Sequence, residues 1–222
     1  IPPEIIQKLK LKIEGIIKKE NRDGSSSPAL DGLRVNEVIP LLIVLLNDPD
    51  VSVRINAQHA LVQIGSPAVP ELVEVLQNNS SVCVRALVAE ALGEIRDPKA
   101  LELLLNALDI MILVAAGYKY GFDRDEYEVS FHVAKALGNF AETSEVIYKL
   151  IIAMGVDPEP SQKVRRTVRD ILINIGEVGI PLLKGGIEHS DNFILQIRIA
   201  EVLYKLGELR YEEAVEFLRN FL

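Results

Sequence analysis

Apolar residues recur along most of the chain with the spacing of one face of an α-helix. After Val53, apolar residues stand four, seven, eight and eleven positions later, and the same set follows Val84. Three further anchor residues begin the same pattern: Val129, Val164 and Leu195. A period near 3.6 residues predicts helices that each bury one stripe. Because no segment offers a sustained alternation of apolar and polar residues, the sequence predicts an all-α protein.

The pattern repeats, and the repeat predicts how the helices pack. From Val53 the anchor recurs 31 residues later at Val84, and Gly65, Gly176 and Gly207 stand where helices commonly end. Each repeat is a helical hairpin that cannot bury both faces alone, so neighbouring hairpins must stack into a solenoid. We expect the leucine eight positions after each anchor to be buried in register: Leu61, Leu92, Leu137, Leu172 and Leu203.

The same reading gives the domain boundaries. Residues 1–20 are predicted to form an amphipathic capping helix, and residues 21–35 a flexible loop rich in turn-forming residues. The solenoid is expected to span 36–222 and to close with a terminal helix over 208–222. Before that helix come five units: 36–65, 66–96, 97–141, 142–176 and 177–207.

Several short motifs within the repeats are typical of one known class. They are Pro40, Pro70 and Pro181 in the first helices, the Asp48-Pro49-Asp50 turn, the Val-Arg anchors at 53–54 and 84–85, and Ala-Leu-Gly at 91–93. In these features the chain resembles HEAT-repeat proteins, most of all the short HEAT-like type of phycobilin lyase subunits, deoxyhypusine hydroxylase and small archaeal proteins. The resemblance implies a right-handed α-solenoid. It implies little about function, because such repeats serve many unrelated partners.

Composition and charge narrow the classes of function. The net charge of −8 argues against a broad nucleic-acid footprint, since binding to phosphates needs a basic surface. Cys83 is the sole cysteine, so neither an intrachain disulfide nor a cysteine-based metal cage is expected. The apolar stretch at 110–117 is too short to cross a membrane, and no signal peptide is visible. We therefore expect a cytoplasmic protein without a membrane segment.

Catalytic patterns are missing from the sequence. Deoxyhypusine hydroxylase carries His-Glu pairs on successive repeats, whereas His59 and Glu90 here are each followed by alanine, and Glu188-His189 falls on a predicted turn. His59 and His132 align with solvent-facing repeat positions. The residues assemble into no nucleophilic triad, and the glycines form no phosphate loop. The sequence therefore predicts a protein that is not an enzyme and that holds no metal or cofactor.

Positions three, six and ten residues after each anchor are expected to form a polar ribbon. At about 100° per residue they share one helix face, and second helices line the inner side of HEAT solenoids. The charges along this face are mixed, which suits a protein or peptide partner better than a nucleic-acid duplex. A solvated face without any partner is the alternative. The candidate partner-binding residues are His59, Glu90, Glu94, Lys135, Asp170, Arg198 and Glu201.

An insertion at 110–126 distinguishes the third unit. Inserted loops on repeat scaffolds often bind partners, and tyrosines often anchor interfaces. Tyr118, Tyr120 and Phe122 are therefore candidate partner-binding residues. The alternative is a lengthened first helix whose edge these aromatic side chains cover.

The densest basic cluster lies at 163–169. Lys163, Arg166 and Arg169 form a candidate anion patch. The aligned Arg54 and Arg85 suggest that Arg165 is structural and bonds either turn carbonyls or an Asp of the next repeat. Before it, Asp123, Asp125, Glu126 and Glu128 are expected to form a solvated acidic loop ahead of a helix.

The features together favour a non-enzymatic HEAT-repeat scaffold that mediates protein–protein interaction. One alternative is a lyase-like or other enzyme-associated HEAT subunit, on the resemblance to phycobilin lyases. The other is binding of nucleic acid or phosphate through the 163–169 patch.

Overall fold

The computed structural model describes residues 35–115, 124–155 and 162–210. All regular secondary structure within these ranges is helical, which confirms the all-α prediction. Short 3₁₀ segments at Ser66–Ala68 and Gly176–Gly179 lead into two of the helices. The α-helices are α1 (Val35–Leu45), α2 (Val51–Ile64), α3 (Val69–Asn78), α4 (Val82–Ile95), α5 (Pro98–Ala115), α6 (Arg124–Gly138), α7 (Ser144–Met154), α8 (Gln162–Ile175), α9 (Ile180–His189) and α10 (Phe193–Lys205).

The chain divides into two compact units, 1–100 and 101–222. In the first unit, α1 packs on α2 and α3 on α4, while α2 also packs on α4. In the second unit, α7 packs on α8 and α9 on α10, and the second helices α6, α8 and α10 contact one another in sequence. Each unit is therefore built from stacked helical hairpins, as the repeat predicts.

The leucine eight positions after each anchor lies in the core. Leu61, Leu92, Leu137 and Leu172 have no solvent exposure, and Leu203 is 1% exposed. Because the same position is buried in all five repeats, the predicted burial of these leucines in register is confirmed. Burial of each leucine stabilises the fold by roughly 1.5–3 kcal/mol relative to an exposed side chain.

The second helices α2, α4 and α10 begin with a side-chain cap three residues before the anchor. The Asp50 carboxylate accepts a hydrogen bond from the Ser52 backbone N–H at 2.8 Å. In the last repeat, Asn192 Oδ1 accepts from the Leu195 N–H at 3.0 Å. Such caps satisfy backbone donors that a helix leaves unpaired, and each contributes about 1 kcal/mol.

The residue directly after the anchor holds the preceding turn. Arg54 and Arg85 bond turn carbonyls, and a glutamine takes the same role in the last repeat. The corresponding role of Arg165 stays a prediction. Each donor reaches a carbonyl six residues earlier: Arg54 Nη1 to Asp48 O at 2.8 Å, Arg85 Nη1 to Asn79 O at 2.6 Å, and Gln196 Nε2 to Ser190 O at 2.7 Å. The repeat therefore specifies its turn as well as its core.

Close packing of the second helices depends on small residues. A Cβ atom added at Gly138 would lie 3.2 Å from the side chain of Ile171, so α6 and α8 approach closely there. Ala89, Ala134 and Ala200, five positions after their anchors, are all buried. Small side chains at these positions therefore leave room for neighbouring second helices to pack closely.

Other predictions are corrected or lie outside the described residues. Glu188 and His189 are not on a turn, because α9 continues through both. Helices α5 and α6 occupy the two ends of the 110–126 insertion, up to Ala115 and from Arg124. The predicted capping helix and loop at 1–34, and the terminal helix beyond residue 210, lie outside the described residues. None of the helices in the described ranges is both long and apolar enough to span a bilayer.

Candidate functional site

The polar ribbon lies where the repeat alignment places it. His59, Glu94, Lys135, Asp170 and Glu201 are exposed, and Glu90 and Arg198 are partly exposed. These side chains leave the second helices on the face opposite the buried leucines. The structure thus confirms their position, and partner binding by them stays a prediction. Tyr118, Tyr120 and Phe122 lie outside the described residues.

In the first unit, part of the ribbon serves helix packing. Gln58 is 5% exposed, and its Nε2 donates to Leu87 O at 3.1 Å and to Glu90 Oε2 at 3.3 Å. Buried amides need such partners, because an unsatisfied one costs about 1–3 kcal/mol. Glu90 is therefore tied to α2, while His59 and Glu94 on the same face remain exposed to solvent.

The second unit repeats this arrangement with charged residues. Arg169 Nη1 lies 3.1 Å from Glu201 Oε1, and its Nη2 lies 3.0 Å from Asp170 Oδ1. Arg169 and Gln58 stand five positions after their anchors, and Glu201 and Glu90 six after the next, so the same positions link neighbouring second helices. The hydrogen bond with Asp170, aided by Glu201, raises the pKa of Arg169 against the opposing effect of burial.

Lys163 turns toward α6 instead of joining the arginines that follow it. Its Nζ lies 2.7 Å from Glu128 Oε1 and 3.9 Å from the centre of the Phe131 ring. The hydrogen bond from Lys163 lowers the pKa of Glu128 against the opposing effect of burial, and His132, 3.4 Å away, lowers it further. The predicted grouping of Lys163 with Arg166 and Arg169 is corrected accordingly, since Glu128 neutralises Lys163.

Arginines from two second helices line a cavity of about 170 Å³. Arg165, Arg166 and Arg169 come from α8, and Arg198 comes from α10, together with Met154, Gln162 and Glu201. Arg198 Nη1 donates to Met154 O at the end of α7. Sequence reasoning placed Arg166 and Arg198 in separate features, because the repeat alignment gives angles around each helix but not the distance between helices.

The histidines and Cys83 stand on four different helices of the described part of the chain. No three His, Cys, Asp or Glu side chains cluster there as metal ligands. His59, His132 and His189 stand on α2, α6 and α9, and the ring of His189 bonds Gly185 O at 3.0 Å. Cys83 is a free, exposed thiol. The histidines are therefore dispersed over three helices.

Comparison with known proteins adds two findings. Residues 39–110 match the family of HEAT repeats. A stretch of 76 residues is 42% identical to the bilin biosynthesis protein RpcF of Synechococcus sp. (strain WH8020), covering 34% of this chain and 36% of that protein. The chain thus matches about a third of the length of this relative. The expectation that the chain is not an enzyme is wrong on this comparison, because its named relative is a biosynthesis protein.

The family match agrees with the geometry. It starts at Ile39 in α1 and covers both hairpins of the first unit, including the buried leucines Leu61 and Leu92 and the turn-holding arginines Arg54 and Arg85. Residues 39–110 are thus HEAT repeats, and the second unit repeats the same core and cap positions.

Proposed function

We propose that the chain is an enzyme component of bilin chemistry, in which the HEAT repeats hold a protein that receives or carries the bilin. The observation that carries this proposal is the 42% identity over 76 residues to a bilin biosynthesis protein. This reading corresponds to an enzyme-associated HEAT subunit and replaces the non-enzymatic scaffold expected from the sequence.

The first unit offers a surface suited to a protein acceptor. His59, Gln63 and Glu94 are exposed on neighbouring second helices, and the partly exposed Leu87 lies on the same face. Protein interfaces combine such polar side chains with a minority of apolar ones, and complementary charge speeds their association. The stacked helices hold these side chains on a rigid surface, which limits the conformational entropy lost on binding.

The test uses a purified apo-protein that normally carries a covalent bilin, with phycocyanobilin as the chromophore. We expect the chain to capture the apo-protein saturably and to increase the yield of the coloured adduct, read by absorbance and by fluorescence of the protein band. The substitution Glu94→Lys reverses an exposed charge on the proposed surface, and we expect it to weaken capture about fivefold or more.

A matched control comes from the other helix layer of the same unit. Glu74 is also an exposed glutamate, but it lies on the first helix α3. Glu74→Lys changes the net charge equally and should leave capture within about twofold, as surface changes away from an interface usually do. Absence of both capture and increased adduct yield with the unmodified chain would refute the proposal. If Glu94→Lys and Glu74→Lys weakened capture equally, the second helices would not be the surface that binds the apo-protein.

A further inference from the structure

The cavity in the second unit concentrates positive charge within an acidic chain. Arg165, Arg166 and Arg169 lie within the first eight residues of α8, and Arg198 faces them from α10. The whole chain carries a net charge of −8, so this cluster reverses the prevailing sign locally. The N-terminal end of α8 adds the positive end of the helix dipole.

Two of the guanidinium groups are already fixed by the protein. Arg198 donates to the Met154 carbonyl, and Arg169 is held between Asp170 and Glu201. Side chains that are ordered before binding lose little rotamer entropy when a ligand arrives. Arg166 lines the same cavity and is exposed to solvent, so a ligand can reach it.

Charge and size indicate the chemical class of the ligand. Four guanidinium groups and one carboxylate, that of Glu201, are among the groups that line the cavity, and Arg169 also bonds the Asp170 carboxylate. A phosphate monoester carries about −1.5 to −2 charges at pH 7 and several acceptor oxygens, which guanidinium groups bind in bidentate fashion. The volume of about 170 Å³ is below the roughly 300–1,000 Å³ that encloses a drug-sized molecule.

We propose that this cavity binds the phosphate group of a phosphate monoester, carried either by a phosphorylated side chain of a partner protein or by a small molecule. Nucleic acid fits less well, because an extended strand would pass the exposed carboxylates of Glu201, which lines the cavity, and of Asp170, which is bonded to Arg169. The site lies in the second unit and does not depend on the proposed role in bilin chemistry.

The experiment is isothermal titration of the full chain at low ionic strength with inorganic phosphate, O-phosphoserine, and a phosphoserine peptide beside its unphosphorylated form. We expect saturable binding of the phosphorylated probes. Arg166→Gln should weaken it about tenfold or more, because one charge-assisted contact is lost. Lys163→Gln is the matched control: it removes one positive charge three residues away, from a side chain paired with Glu128, and should change affinity less than about twofold. Melting temperatures of both variants establish that they fold.

The probes also separate the two sources of the ligand. A phosphopeptide that binds at least about tenfold tighter than O-phosphoserine identifies a protein partner, and equal affinities identify a small molecule. The proposal is overturned if no phosphorylated probe binds, or if both variants weaken binding equally, since that is general charge attraction. Tighter binding of a DNA duplex, or of biliverdin through the same arginines, would also overturn it. The yield of the bilin adduct is also measured with Arg166→Gln. Because that yield does not depend on phosphate binding, failure of one proposal can be told apart from failure of the other.

Discussion

Arg96 departs from the rule by which the repeats end their second helices. Gly65, Gly176 and Gly207 adopt φ values of 73°, 65° and 78°, which glycine reaches without strain. Arg96 follows Gly65 by 31 residues and also has a positive φ, 56°, with which it adopts the left-handed α conformation. For a residue with a Cβ atom this conformation costs about 1–2 kcal/mol. The strain is local, so a single substitution can relieve it.

We therefore expect Arg96→Gly to be more stable than Arg96→Ala by about 1 kcal/mol in urea denaturation. The alanine variant is the proper reference, because both substitutions remove the arginine side chain with its interactions and differ in backbone freedom. Equal free energies of unfolding would mean that residue 96 leaves the left-handed conformation once the arginine is gone.

At the scale of the helical elements, neighbouring second helices share the same core positions in each repeat, whereas the polar links between them differ in chemistry. Leu137 in the core and Gly138 at the helix contact follow from the repeat pattern, and both were predictable. The links between Gln58 and Glu90 and between Arg169 and Glu201 use matching positions with different chemistry. Sequence reasoning assigned Arg169 to an open surface patch, because periodicity shows the face of a helix but not which neighbour meets it.

The ion pair of Glu128 and Lys163 connects α6 to α8, and it predicts how the stability of the fold depends on pH. The pKa of Glu128 in the folded chain lies below its ordinary value of 4.5, chiefly because Lys163 donates a hydrogen bond to it. A lowered folded pKa stabilises the fold above the unfolded value, and that stabilisation is lost as the pH falls through the folded value. Glu128→Gln should therefore be less stable than the unmodified chain at pH 7, and the difference should shrink as the pH falls below about 4.5.

Chemical denaturation of both proteins at pH 7 and near pH 4 measures this difference. The Glu128 side chain is 47% exposed, so solvent screening keeps the effect small. Glu102→Gln removes another exposed carboxylate of the second unit, on α5, and controls for general charge effects. If the difference in free energy of unfolding between wild type and Glu128→Gln stayed constant across the pH range, the ion pair with Lys163 would not be what stabilises the charged form of Glu128.

At the scale of the whole molecule, contacts between residues close together in the sequence could be predicted, and contacts between distant helices could not. Caps and turn bonds, such as Arg54 to the Asp48 carbonyl, span six residues and recur with the repeat, so the sequence indicates them. The arginine cavity joins α8 to Arg198 on α10 and to Met154 on α7, which requires the relative placement of three helices. No single-repeat pattern contains that information. The enzyme-associated alternative rests on family resemblance, since no catalytic motif in the sequence favours it.

Stacked repeats also predict how a local loss of packing spreads. In solenoids each repeat contacts its neighbours alone, so stability is approximately a sum of repeat and nearest-neighbour contributions. Leu92 is fully buried in α4 of the first unit, and Leu92→Ala should cost about 2–5 kcal/mol. Hydrogen exchange followed by mass spectrometry should then show faster exchange in α2, α3 and α4 than in the unmodified chain. Exchange in α8 and α10 should change much less.

Leu203→Ala, the same substitution at the matching position in the last repeat, should reverse this distribution. If both variants instead accelerate exchange uniformly over 35–210, the described helices unfold as one cooperative body and the nearest-neighbour description fails.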